Sequence, residues 1–279
     1  MSDRALKSRT AFVAGGTRGM GYAIAALLAA SGARVTVCGS TTKSVEACRV
    51  TARRAKLPIK AIQLDVADGE ASGGAIAGIA PDGLDILVCC AGQAFRGGAL
   101  DTSAEQWDRC MDLNLRAPFL LSKAALPAMI ARGSGLIVFV SSIWALTATA
   151  RRVPYIVAKA ALSSLTRALA MDVAESGVRV NAVAPGYIDT EFLRRSMAEA
   201  TPGADVGKML VATAARHPRG RIGKPGDVAE AVLYLARADF VTGQTLVVDG
   251  GLTTSFPLSD FAKAPAARNA SQGKTRKGR

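Results

Sequence analysis

Histidine is almost missing from these 279 residues, with His217 the only one. A histidine-based metal centre needs several imidazoles, and a serine–histidine–acid triad needs one beside a nucleophile, so no metal is expected and neither chemistry fits. Cysteine is scarce and unpatterned. Cys38, Cys48, Cys89, Cys90 and Cys110 are odd in number, show no Cys-x-x-Cys spacing, and several sit in apolar runs. They read as reduced, buried thiols of a cytoplasmic protein, not as a disulfide framework. No apolar run reaches the ~20 residues that span a membrane, and residues 1–7 hold no secretory-type apolar segment. Acid is missing from one end. Six basic residues and no Asp or Glu lie between Lys263 and Arg279, in a chain whose net charge is +13. That stretch is rich in Ala, Gly, Ser and Pro, so residues 263–279 are expected to be a disordered basic tail after a folded domain of residues 1–262. Nearly half of the excess charge therefore sits in a solvated tail, and a nucleic-acid partner is not expected.

What the chain does have is alternation. Residues 10–14 form a short apolar run of the kind seen in buried parallel strands. The run Gly15-Gly16-Thr17-Arg18-Gly19-Met20-Gly21 follows, then an amphipathic stretch over 22–31 closed by Gly32, then a second strand over 35–38. A strand, a glycine-rich turn and a helix in that order bring backbone N–H groups and a helix N-terminus to a phosphate. Strands are predicted at 59–64, 84–89, 136–140, 178–183 and 245–248. Helices are predicted at 103–132, 155–176 and 228–236. This alternation indicates one α/β domain built on a doubly wound, Rossmann-like parallel sheet flanked by helices. Ligands of such sheets bind beyond the carboxyl ends of the strands. Gly15, Asp65, Gly92, Ser142 and Pro185 all fall at those ends.

One helix carries a further signal. Pro154 suits a first helical turn, and Tyr155 and Lys159 are four apart, which puts a phenol and an ammonium on one face. A nearby cation is expected to lower the tyrosine pKa from its usual ~10 and bring the phenol closer to acid–base work near neutrality.

With these residues placed, the chain resembles the short-chain dehydrogenase/reductase family over about residues 6–252. The resemblance rests on Tyr155-x-x-x-Lys159, Ser142 thirteen residues before the tyrosine, Asn114, Gly15-x-x-x-Gly19-x-Gly21, the run from Pro185 to Thr190, and the run from Thr242 to Gly251. It implies that Tyr155 exchanges a proton with a substrate carbonyl or alcohol oxygen. It also implies that Lys159 lowers the tyrosine pKa and binds the nicotinamide ribose, that Ser142 orients the substrate oxygen, and that Asn114 holds a water in a proton relay. The implied cofactor contacts are Gly15, Thr17, Arg18, Gly19, Met20, Gly21, Asp65, Val66, Ala91, Gly92, Pro185, Gly186, Ile188 and Thr190, with Tyr155 and Lys159. Cys89 and Cys90 stand where the family commonly has two asparagines.

NAD-preferring Rossmann proteins place an acid after the second strand for the ribose 2′-hydroxyl. Here that region reads Cys38-Gly39-Ser40-Thr41-Thr42-Lys43. Ser40, Thr41 and Arg18 can hold a 2′-phosphate, so NADP(H) is favoured over NAD(H). Gln93, Phe95, Trp144, Arg152 and Tyr187 are the substrate-side candidates, and residues 191–215 resemble the family's substrate lid. The pattern is similar to 3-oxoacyl-carrier-protein reductases and to sugar-acid dehydrogenases alike. An acidic acyl-carrier protein is thus a conceivable partner, beside a small carbonyl or alcohol substrate, and the family implies a homotetramer. The alternative is a cofactor-binding sensor that keeps the fold without turnover.

Overall fold

The computed structural model describes residues 6–80 and 83–254. The predicted tail and the last residues of the predicted domain lie outside them. The chain runs β1 (Thr10–Ala14), α1 (Gly19–Ala30), β2 (Arg34–Gly39), α2 (Thr42–Arg54), β3 (Ile59–Gln63), α3 (Gly69–Ile79) and β4 (Ile86–Cys89). It continues with α4 (Ala104–Met111), α5 (Ala117–Ala131), β5 (Gly135–Val140), α6 (Val153–Val173) and β6 (Val178–Pro185), then α7 (Glu191–Ala200), α8 (Val206–Ala215), α9 (Pro225–Arg237) and β7 (Thr245–Val248). The strands form one seven-stranded sheet in the order β3-β2-β1-β4-β5-β6-β7, and every pairing is parallel. This is the doubly wound Rossmann-type sheet that the alternation predicts. No helix among the described residues is long and apolar enough to cross a membrane.

Strand periodicity divides the core. Ala11 and Val13 of β1 and Leu136, Val138 and Val140 of β5 face the layer of α1 and α9. Phe12, Ala14, Ile137 and Phe139 face the layer of α5 and α6. Alternate residues point to opposite faces, so both faces of an all-parallel sheet need apolar side chains. Phe12 and Phe139 are wholly buried, each worth about 1.5–3 kcal/mol of hydrophobic transfer.

Local chemistry sets the element ends. Ser103 and Gln106 form a capping box at the start of α4, Pro154 lies in the first turn of α6, and Gly177 takes a left-handed φ of 72° that ends the helical turn after α6. The predicted single helix over 103–132 is instead interrupted. A π-helical turn, Asp112–Arg116, separates α4 from α5, and Asn114 is buried within it. The predicted lid is two helices, α7 and α8, capped by Thr190 and Asp205.

Registers level the strand ends. Ala14 stands opposite both Cys38 and Cys89, and Val140 opposite Val183. The loops after β1 and β4 therefore meet where the strand order reverses. A Cβ on Gly15 would lie 2.6 Å from the Ala91 backbone, so only glycine fits that crossing, and its φ of 75° asks for glycine as well.

Candidate active site

α6 places Tyr155 and Lys159 one turn apart, both buried. Lys159 Nζ lies 5.6 Å from the centre of the Tyr155 ring and donates to the Val140 carbonyl at 3.0 Å. Ser142, at the end of β5, accepts from the Trp144 N–H at 3.2 Å, and its hydroxyl also faces the Tyr155 phenol. On the other side, Asn114 Nδ2 donates to the carbonyls of Cys110 (3.1 Å) and Gln93 (3.2 Å). The Gln93 bond ties the π-turn to the loop after β4. Asn114 Oδ1 is buried without a hydrogen-bond partner. A Cβ on Gly92 would sit 2.9 Å from that oxygen and 3.5 Å from Lys159 Nζ, so both groups face one small space that glycine keeps open. The four residues expected to act together do converge.

The electrostatics correct one expectation. Burial pushes Tyr155 up to about 12, against the opposing pull of the Ser142 hydroxyl and the Arg152 guanidinium. The net direction is opposite to the lowering expected beside Lys159. The Lys159 ammonium is itself desolvated and pushed down to about 8, with the thiols of Cys90, Cys110 and Cys89 acting the opposite way. Desolvation penalises whichever form is charged, so it raises a phenol and lowers an ammonium together. The same burial pushes Cys90 and Cys110 up to about 11 and raises Cys89 too. These thiols are protonated and unreactive at neutral pH.

The glycine loop forms a cradle. A Cβ on Gly21 would lie 2.2 Å from the Gly15 carbonyl, so α1 starts hard against the turn, with Gly19 at its first position and no acid in its first turn. Met20 and Thr17 are half-buried here. Thr190, the N-cap of α7, faces the loop: its methyl carbon is 3.6 Å from where a Cβ on Gly19 would be. Ile188 is buried beside it. The Gly186 N–H donates to Val248 and so fixes the turn after Pro185. Asp65 is exposed at the end of β3, where it accepts from the Ala67 N–H, and Val66 is buried. Beyond β2, Ser40 is exposed and Thr41 caps α2. Arg18 is exposed and pairs with Glu191 at 3.6 Å, an exposed contact worth about 0–1 kcal/mol that exchanges readily.

On the substrate side, Phe95 and Trp144 pack around Tyr155. Trp144 meets Tyr187 edge-on at 6.4 Å. Gln93 enters through its carbonyl, which Asn114 holds, and its side chain is exposed. Arg152 is half-buried and donates to Ser196 Oγ of α7 at 3.2 Å. Sequence reasoning missed several members. Ser196 sits inside a lid whose residues carry no spacing signal. The Val140 carbonyl is backbone. The lone His217, dismissed for triad chemistry, stacks edge-on with Tyr187 at 6.0 Å.

Comparison with known proteins identifies the family. Residues 14–253 match the family model described as enoyl-(acyl carrier protein) reductase. The human dehydrogenase/reductase SDR family member 4 is 35% identical over 251 residues, covering 88% of each chain. The cis-4-hydroxycyclohexanecarboxylate dehydrogenase of Sinomonas cyclohexanicum is 39% identical over 254 residues, covering 89% of this chain and 98% of that one. A solved structure from Beutenbergia cavernae, described as an NAD(P)-dependent gluconate 5-dehydrogenase with bound NADP, superposes with a TM-score of 0.83 at 34% identity, covering 91% of this chain and all of that one. On the strength of its motifs, its sheet and these relatives, the chain belongs to the short-chain dehydrogenase/reductase family of oxidoreductases.

Proposed function

We propose that this chain is an NADP(H)-dependent oxidoreductase that interconverts a ketone or aldehyde and an alcohol, with a hydroxy or keto acid as the favoured substrate. The observation that carries this reading is the convergence of Ser142, Tyr155, Lys159 and Asn114 on one buried space beside the glycine cradle. A protein that only bound a nucleotide would have no chemical use for all four. The relatives' names support the substrate class, since two of them print a hydroxy or sugar acid.

The cradle suits a dinucleotide. Gly15, Gly19 and Gly21 let backbone N–H groups and the start of α1 approach a pyrophosphate. Arg18, Ser40 and Thr41 border the 2′ position, and residues 40–43 after β2 include no carboxylate to repel a phosphate. Asp65, Val66, Ala91 and Gly92 line the adenine half, and Pro185, Gly186, Ile188 and Thr190 the nicotinamide half. When bound, the cofactor supplies or accepts the hydride. The protein does the rest. Tyr155, held in its neutral form by burial, donates its proton to the carbonyl oxygen in reduction and recovers it in oxidation. Ser142 donates a hydrogen bond to the same oxygen and fixes its position. Lys159, anchored by Val140, directs its remaining N–H groups to the ribose hydroxyls. Asn114 Oδ1 accepts in the chain of donors that returns the proton. The reading includes one catalytic domain followed by a basic tail, in the cytoplasm. Exposed Phe119, Ile130, Val157 and Met171 on α5 and α6 support assembly into a homotetramer through those helices.

The test is NADPH oxidation against keto acids, neutral ketones and 3-oxoacyl thioesters, with Tyr155→Phe alongside. Loss of about 10²–10⁴-fold in kcat for the variant, with NADPH binding retained by fluorescence, is the expected result. Tight NADPH binding without turnover of any substrate would move the assignment to a sensor.

A further inference from the structure

Two cations converge beside the candidate site with no acid between them. Arg96, in the loop after β4, donates to the Ser196 carbonyl at 2.8 Å and to Ser196 Oγ at 3.5 Å. Arg152, at the N-cap of α6, donates to the same Oγ at 3.2 Å. Two guanidinium groups thus share one serine hydroxyl. Burial and the Arg96 charge lower the Arg152 pKa, while Tyr155 and Tyr187 act the opposite way. Among the described residues, every other short-range partner of the pair is neutral, and neither arginine forms an ion pair. Arg152 is half-buried beside the exposed Arg96, and a partly desolvated cation that faces a second cation and no counter-ion is costly.

We propose that Arg96 and Arg152 together form the site that recognises the carboxylate of an oxo or hydroxy acid substrate, and so set the specificity of the reaction at Tyr155. This deepens the oxidoreductase reading and rests on it for turnover, though not for binding. Each guanidinium offers a planar fork that matches the two oxygens of a carboxylate. Ser196 engages one nitrogen of each fork, which leaves the others for an anion. Arg152 precedes Tyr155 by one helical turn, so the carboxylate lies a few bonds from the reacting carbon. Phe95 and Trp144 pack against Tyr155 and provide an apolar wall for the carbons between. In the reduction, NADPH gives a hydride to the carbonyl carbon and Tyr155 a proton to its oxygen, yielding the hydroxy acid and NADP⁺. The carboxylate stays ionised throughout. Because both arginines grip Ser196, the anion and α7 are held by the same pair of cations, which couples acid recognition to the position of the lid.

The experiment pairs acetoacetate, levulinate and 4-oxocyclohexanecarboxylate with their uncharged amides. Binding is read by calorimetry on the protein without cofactor, and turnover by NADPH oxidation. The variants are Arg96→Met, Arg152→Met and Arg152→Lys. The wild-type protein is expected to bind and turn over at least one acid in preference to its amide. The acid-over-amide ratio of kcat/KM should fall about 10–100-fold in either Met variant, mainly through KM, and less in Arg152→Lys. Wild-type protein that treats acids and amides alike overturns the proposal while leaving the reductase reading intact, and this arm needs no variant to fold. Arginine-dependent binding of acids with no NADPH oxidation upholds the anion site and overturns the reductase reading. Absence of both binding and turnover overturns both.

Discussion

Burial pushes Tyr155 and Lys159 toward their neutral forms, and the two respond oppositely to pH. The Lys159 pKa is depressed to about 8 from its ordinary 10.5. Below about 8 both the folded and unfolded chains hold the proton, and the cost of burying the charge is present in full. Between about 8 and 10.5 only the unfolded chain keeps it, so this residue's contribution to stability rises with pH through that window. Tyr155 is raised from 10 to about 12, so its own contribution is kept up to about pH 10 and lost above it. The urea midpoint of wild-type protein relative to Lys159→Met is therefore expected to shift in the wild type's favour between pH 7 and pH 10. A difference that stays flat over that range would mean that Lys159 titrates as an ordinary lysine. That the two groups are neighbours was legible from their spacing, whereas the pKa direction was not. Spacing shows which groups are neighbours, but it carries no measure of how much water the fold removes from them.

Most elements announce themselves through apolar runs and their stops, because a parallel sheet buried on both faces needs both. The π-turn at Asp112–Arg116 gives no such signal. Its sequence, Asp-Leu-Asn-Leu-Arg, is as helical as its flanks, and the extra residue in the turn is a response to packing against α6 and the loop after β4. Such bulges gather at functional positions, and this one turns Asn114 inward. Asn114→Ala removes the Nδ2 bonds to the Gln93 and Cys110 carbonyls and to Cys110 Sγ, and leaves the buried Cys110 carbonyl without that donor. It is expected to cost about 1–3 kcal/mol in unfolding free energy. Faster hydrogen exchange in residues 91–98 should accompany it, since Gln93 loses its tether. Unchanged exchange in that loop would show that other contacts hold it. The Arg96–Ser196–Arg152 cluster was equally hidden, because its members are 100 and 44 residues apart and no local pattern joins them.

At the scale of the whole molecule, the sheet order does what no single motif can. It brings the ends of β1, β2 and β3 side by side, so the last residue of β2 stands beside the glycine turn after β1. A Cβ on Gly39 would lie 2.6 Å from Thr17 Oγ1 and 2.8 Å from Ser44 Oγ, which shows how closely hydroxyls crowd that corner. Cofactor choice there reduces to charge. An acid following β2 would accept from a ribose 2′-hydroxyl and repel a 2′-phosphate. This chain instead presents Ser40 and Thr41, with Arg18 on the neighbouring loop. Ser40→Asp converts the corner to the other kind. Two unit charges about 4 Å apart interact by about 1 kcal/mol in water and about 4 kcal/mol near a protein surface. The NADPH-over-NADH ratio of kcat/KM is therefore expected to fall about 10-fold or more. The change should lie mostly in KM for NADPH, because the phosphate is remote from the reacting carbon and contributes nearly equal binding to ground and transition states. Thermal shifts with NADP⁺ and NAD⁺ read the same preference without turnover, since a ligand stabilises the folded chain in proportion to its occupancy. A ratio that survives Ser40→Asp would place recognition of the phosphate on Arg18 alone, and Arg18→Ala would then have to abolish it.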